Sequence, residues 1–281
     1  MLVLLWEVVR ETVLDTVKLI PFLFLTYLVM EYLEHKAGEK TGRAVQRAGK
    51  WGPLFGAVAG VVPQCGFSAA AANLYAGRVI TLGTLLSIFL STSDEMLPIL
   101  ISEQAELSLI VRILAFKVLI GATAGLTADL IFRKAGEEHH HIHQMCESEH
   151  CHCEKGILKS AVSHTLKIAA FILLISFCLN LIMHSIGEDA LAGLFMNRPV
   201  LGPVIAGIVG LIPNCASSVA ITQLYLRGAI SFGGVMAGLL VNAGVGVLIL
   251  CRINHDKKEN IKIIGLLYAT GVLAGIVLDI L

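Results

Sequence analysis

Apolar residues fall into eight long blocks along the chain: 12–30, 51–76, 79–101, 107–132, 157–186, 200–226, 229–250 and 261–281. About 20 apolar residues in a helix cross a hydrocarbon core of about 30 Å, so blocks of this length predict membrane-spanning helices. Two blocks are interrupted in the middle. VVPQCGFSAA occupies 61–70 and LIPNCASSVA occupies 211–220, each with a proline, an amide, a cysteine and a serine inside apolar sequence. Residues 52–62 make a helix of only about 16 Å, half a bilayer. The pattern therefore predicts a re-entrant, broken helical hairpin in each of the two blocks. The expected class is an all-α polytopic membrane protein with five helical pieces in each half.

The halves are copies. Shifting the chain by 149–150 residues aligns Lys18 with Lys167, Gly52-Pro53 with Gly202-Pro203, Pro63 with Pro213 and Cys65 with Cys215. The same shift pairs Ser68 with Ser218, Tyr75 with Tyr225, Gly83 with Gly233 and Asp129 with Asp279. A self-match this long marks an internal duplication. The expected division is an N-terminal membrane repeat at 1–132, a polar linker at 133–156 and a C-terminal membrane repeat at 157–281.

Charge sets the expected orientation. Basic residues near span ends favour the cytoplasmic side. Loop 34–50 carries Lys36, Lys40, Arg43, Arg47 and Lys50, whereas its counterpart 185–199 carries Glu188, Asp189 and Arg198. The next pair reverses the bias: 102–106 (SEQAE) is acidic and 252–262 (RINHDKKENIK) is basic. Equivalent loops on opposite faces predict an inverted repeat. Both termini are then expected outside and the linker in the cytoplasm.

Composition agrees with a membrane chain. Of 281 residues, 56% are hydrophobic and 15% charged, with mean hydropathy +0.79; soluble domains carry about 25% charged residues. Net charge is zero, which points away from a nucleic-acid partner. Glu7, Arg10 and Glu11 interrupt the N-terminus too early for a signal-peptide core. Seven cysteines without paired spacing imply no disulfide framework.

The broken segments hold the first candidate chemistry. Non-helical backbone at membrane depth is tolerated only when buried in protein or lining a cavity, and proline suits such a break because it donates no backbone hydrogen bond. Pro63, Gly66 and Pro213 are the expected hairpin tips. Hairpins entering from opposite faces would bring Cys65 and Cys215 together at the midplane, where transporter sites are commonly built. Gln64, Ser68 and Asn73 accompany the first cysteine; Asn214, Ser217, Ser218 and Gln223 accompany the second. Thiolates select soft ions, and amides and hydroxyls suit harder ones. Read structurally, the same cysteines are small packing residues at kinks.

STSDEMLP at 91–98 places Asp94 and Glu95 in an apolar span. Carboxylates there are costly and mark ion or proton sites by default, unless they sit at the interface. The other half has VNAGVG at 241–246, with Asn242 opposite Thr92 and no acid. Asp129 and Asp279 read as interfacial, and Cys178 and Cys251 as packing residues.

The linker is a metal-ligand tract. His139, His140, His141, His143, Cys146, His150, Cys151, His152 and Cys153 fall within 137–154. Imidazole and thiolate suit Zn²⁺, Ni²⁺ or Co²⁺, but the spacing fits no closed zinc site. A flexible metal-loading arm is expected, against a solvated tether with incidental affinity. No other cofactor is required. The chain has no GxxxxGK[ST], HExxH or GxSxG pattern, so neither an ATP-driven engine nor those hydrolytic sites are expected on it.

PQCGFS, its PNCASS counterpart, STSDE and the His-rich centre together resemble a ten-span heavy-metal exporter family, whose members are labelled arsenic efflux proteins or manganese transporters. The family is distantly similar to organoarsenical permeases. The resemblance covers the chain outside the linker. It implies a non-enzymatic secondary transporter in a prokaryotic inner membrane, exporting a metal or metalloid. The cysteines, Gln64, Asn214, Ser68, Ser218, Asn73 and Asn242 would contact the cargo, and Asp94 and Glu95 would hold a cation or proton. Three alternatives stand beside it: a Mn²⁺ exporter centred on Asp94 and Glu95, a carrier of a small sulfur-containing anion, and a thiol–disulfide electron conduit through Cys65 and Cys215. Assembly into a homo-oligomer is compatible with the sequence.

Overall fold

The structure is a computed structural model. It describes residues 51–62, 65–93, 96–132, 157–186, 200–254 and 256–281, with scattered helical positions between Trp6 and Leu28. The helices are α1 (Gly52–Gly60), α2 (Cys65–Ala76), α3 (Leu82–Ser91), α4 (Met96–Ser102), α5 (Leu107–Phe132) and α6 (Ile157–Ile186). They continue with α7 (Leu201–Gly210), α8 (Cys215–Leu226), α9 (Phe232–Val241), α10 (Gly246–Ile253) and α11 (Lys257–Ile280). No strand occurs among the described residues. Among the described residues, five helical stretches are long and apolar enough to cross a membrane: Leu82–Ser102, Leu107–Phe132, Ala161–Cys178, Phe232–Ile253 and Lys257–Ile280.

The duplication extends to local detail. The bounds of α2 and α3 recur 150 residues later in α8 and α9. Thr81 caps α3 by accepting from the Thr84 backbone N–H at 3.1 Å, and Ser231 caps α9 from Gly234 at 3.0 Å. These hydroxyls satisfy donors that a helix start leaves orphaned. Both α2 and α8 end in a left-handed residue, Arg78 (φ 57°) and Gly228 (φ 73°). In each, the amide of that residue and the one after it turn back onto the helix: Arg78 to Tyr75 and Val79 to Leu74, then Gly228 to Tyr225 and Ala229 to Leu224. That is the Schellman closure, which normally wants glycine at the left-handed position.

Close helix approach holds each half together. A methyl on Gly83 would overlap the carbonyl oxygen of Gly125, and one on Gly233 would overlap that of Gly275. Small residues permit such backbone contact in membranes, where burying apolar surface gives little drive between helices. Asp129 clamps the first crossing, accepting from Thr81 Oγ1 and the Gly83 N–H, both at 2.7 Å. Asp279 repeats the clamp on Ser231 Oγ and the Gly233 N–H, both at 2.6 Å. The sequence read these aspartates as interfacial; the structure adds that each closes a helix N-terminus, where a carboxylate meets the positive end of the dipole.

Three expectations change. The crossing expected as one helix over 79–101 is two, α3 and α4, broken at Thr92 and Ser93, and its counterpart breaks between α9 and α10 at 242–245. Gly66 lies in the first turn of α2, not in the connection. The cysteine begins the helix because proline can precede a helical turn without needing a bonded N–H. Cys178 and Cys251 are exposed, so they do not pack the core.

The arms of each broken hairpin diverge. α1 packs on α3 and α5 of its own half, as α7 does on α9 and α11. α2 packs chiefly on α10 of the other half, and α8 reaches α4 in return. The apolar heart of Phe232–Ile253 is 89% buried, whereas that of Lys257–Ile280 is 28% buried. α9 and α10 therefore form the centre, and α11 turns Leu273, Val277 and Ile280 outward.

Candidate functional site

Four interruptions, α1–α2, α3–α4, α7–α8 and α9–α10, frame the centre. At the second hairpin, Asn214 precedes α8 in extended conformation (φ −147°, ψ 149°) and does not cap its own helix. Its amide donates instead to Asn180 Oδ1 on α6. Asn180 Nδ2 donates to Thr12 Oγ1 at 2.9 Å. Ser217 Oγ donates to the Asn214 carbonyl at 2.7 Å and accepts from Asn242 Nδ2. Asn242 Oδ1 accepts from the Gly244 N–H at 2.8 Å, holding the α9–α10 connection. Thr12, Asn180, Asn214, Ser217 and Asn242 are all buried. Buried polar groups persist in low-dielectric surroundings only when partnered, and this chain partners itself across four elements.

Beyond the Asn180–Thr12 bond, the first half meets this chain through packing. Ser68 is fully buried and lies against the second half's break: a methyl on Gly246 would come within 2.8 Å of Ser68 Cβ. Thr92 and Ser93 are buried at the α3–α4 break, with Thr92 Oγ1 donating to the Ile88 carbonyl at 2.7 Å. Ser218 is buried in α8. Asn73 is fully buried five residues beyond Ser68. The Cys65 and Cys215 backbones open α2 and α8, the symmetric position expected of them. Their side chains lie outside the described residues, as do Pro63, Gln64, Asp94, Glu95 and every metal-ligating residue of the linker. Pro213 is half-buried at the second tip. Among the described residues, no group of three or more His, Cys, Asp or Glu side chains could hold a metal ion.

Lys117 escaped the sequence reading. It is 1% exposed near the middle of α5, and its Nζ donates to the Leu239 carbonyl of the other half at 2.6 Å. α9 ends two residues later, so that carbonyl belongs to its last turn, where a cation offsets the negative end of the helix dipole. A lysine ten residues inside a 26-residue apolar span was the available signal. Asn180 in the 30-residue α6 was another.

A second polar cluster closes one end. Glu259 accepts from Tyr75 Oη at 2.6 Å, from both terminal nitrogens of Arg78 at 2.8 and 2.9 Å, and from Asn254 Nδ2 at 2.9 Å. Asp256 caps α11 beneath it.

These features define a multi-pass α-helical membrane protein with two repeats of broken helices. The chain belongs to the family described as "Putative, 10TM heavy-metal exporter", which matches it over residues 7–197 and 160–281. Among curated proteins and among solved structures, nothing matches.

Proposed function

We propose that the protein is a secondary transporter exporting a heavy metal or metalloid by alternating access between two inverted halves. One observation carries the reading: helix breaks from both halves converge on a buried polar chain, with α2 seated on the opposite half beside the Asn242 connection. Irregular backbone at this depth belongs to cavities that handle polar cargo. Cys65 and Cys215 would supply soft contacts, with Gln64, Asn214, Ser68, Ser218 and Asn242 completing the site. Support for inversion comes from the Arg78–Glu259 pair. It joins the turn after α2 to the start of α11, one crossing (Phe232–Ile253) away from the equivalent turn after α8. Equivalent turns then lie on opposite faces. On this reading the linker faces the cytoplasm of a prokaryotic cell and gathers Zn²⁺, Ni²⁺ or Co²⁺.

A second reading, a hard divalent cation such as Mn²⁺ on Asp94 and Glu95, is favoured by α3 ending at Ser91, with the buried non-helical Thr92 and Ser93 immediately before those carboxylates in sequence. Uptake into inside-out vesicles separates the two. Arsenite, Zn²⁺, Co²⁺ and Mn²⁺ are offered to wild type and to Cys65→Ser/Cys215→Ser. Soft-cargo uptake that vanishes in the double variant supports the cysteine site. Mn²⁺ uptake that survives moves the site to the carboxylates, and uptake of nothing by wild type refutes both.

A further inference from the structure

Among the described residues, buried amides are bonded, with two exceptions that occupy equivalent positions. Asn180, Asn214, Asn242, Asn254 and Asn260 each hold a side-chain partner. Asn73 is 0% exposed, and both its Nδ2 and its Oδ1 lack a partner. Its counterpart 150 residues on, Gln223, has a buried Oε1 without one. Buried unsatisfied polar atoms are rare in folded proteins, and each costs stability unless something outside the chain fills it. Two such defects at matching sites of a duplication are not a packing accident of one place.

Their location suggests what fills them. Asn73 and Gln223 each sit eight residues beyond the cysteine that opens their helix, about 12 Å along it. Each lies between the central break and the turn that ends its arm. On α2 the positions three and four residues from Asn73 are Ala69, Ala70, Ala76 and Gly77, which leaves the amide the one polar group on that face. We propose that Asn73 and Gln223 are a pair of way-stations for cargo, one on each side of the cysteine site, each completed only when cargo passes. Asn73 offers a donor and an acceptor together. A bare cation would use the oxygen and leave the N–H unpaired. A cargo that carries hydroxyl or water ligands uses both. The shared chemistry is therefore a hydroxylated or hydrated centre: a neutral metalloid hydroxide or a metal ion with its water shell. This rests on the transport reading above.

The test pairs thermal stability with transport in the full-length protein. Asn73→Leu and Gln223→Met replace the unpaired groups with apolar ones. The expected result is an apparent Tm equal to or above wild type, because an uncompensated polar group is gone, with vesicle uptake falling at least about tenfold in kcat/KM. Asn73→Gln, which retains donor and acceptor, should recover a substantial part of the uptake. Arsenite serves as the neutral hydroxide and Zn²⁺ as the hydrated ion; the cargo whose uptake collapses identifies the source. A lowered Tm in Asn73→Leu means the amide has a structural partner and overturns the proposal. So does wild-type uptake by both variants. If wild type itself moves neither probe, the transport reading fails first.

Discussion

Asp129 and Asp279 should be equally important to the fold, and this can be measured. Each carboxylate accepts one hydroxyl and one backbone N–H at 2.6–2.7 Å, and each joins the end of a long helix to the start of a central one. A hydrogen bond to a charged group contributes about 1.5–3 kcal/mol. Both sites are only part-buried, so water can replace some of what is lost, and the lower end applies: about 3 kcal/mol for each aspartate replaced by alanine. For a chain of this size about 1 kcal/mol moves Tm by roughly 2–4 °C, which gives a fall of about 6–12 °C. The two clamps share no partner, so the double variant should be additive to within about 0.5 kcal/mol. Apparent Tm in one detergent at one scan rate, for Asp129→Ala, Asp279→Ala and the pair, is the assay. A fall in one single variant with less than about 2 °C in the other would refute the equivalence of the halves at this contact.

Two other consequences are open to test. Arg78 holds a left-handed backbone that costs a non-glycine residue about 1 kcal/mol, and its ion pair with Glu259 offsets the strain. Arg78→Gly should therefore melt about 2–4 °C above Arg78→Ala, and an alanine variant that melts at or above the glycine variant refutes the account. Lys117→Met loses the bond to Leu239 but also removes a buried charge, so Tm should stay within a few degrees of wild type. Vesicle uptake by the same variant should drop at least about tenfold, as for an intramembrane charge with a working role; full uptake would reduce Lys117 to packing.

Much of the architecture was legible because apolar block length and a long self-match are properties of whole segments. The prolines at 63 and 213 announced the first pair of breaks, since no other residue removes the backbone donor. The second pair, which opens at Thr92 and at Asn242, carries no proline there and was read as continuous. Ser-Thr-Ser and Asn-Ala-Gly end those helices through side-chain and backbone bonds that depend on neighbours far away in sequence, such as Ser217 for Asn242. Lys117 and Asn180 were visible as letters but not as partners, because their bonds span 122 and 168 residues. The clamp made by Asp129 and Asp279 was missed for the same reason. Position near a span end suggests water, and only the opposing helix start reveals the acceptor's use.

The exchange of α2 onto α10, and of α8 onto α4, also limits how such a protein can change over generations. After a duplication the two copies are ordinarily free to drift apart, each keeping its own interior. Here each copy's interior is partly the other's. A bulkier residue at 246 would press on Ser68 in the opposite half, so Gly246 can enlarge only if position 68 or its helix yields. Substitutions should therefore be inherited in cross-half pairs, α2 with α10 and α8 with α4. Neither half should survive as a separately evolving gene unless the other is made in the same cell.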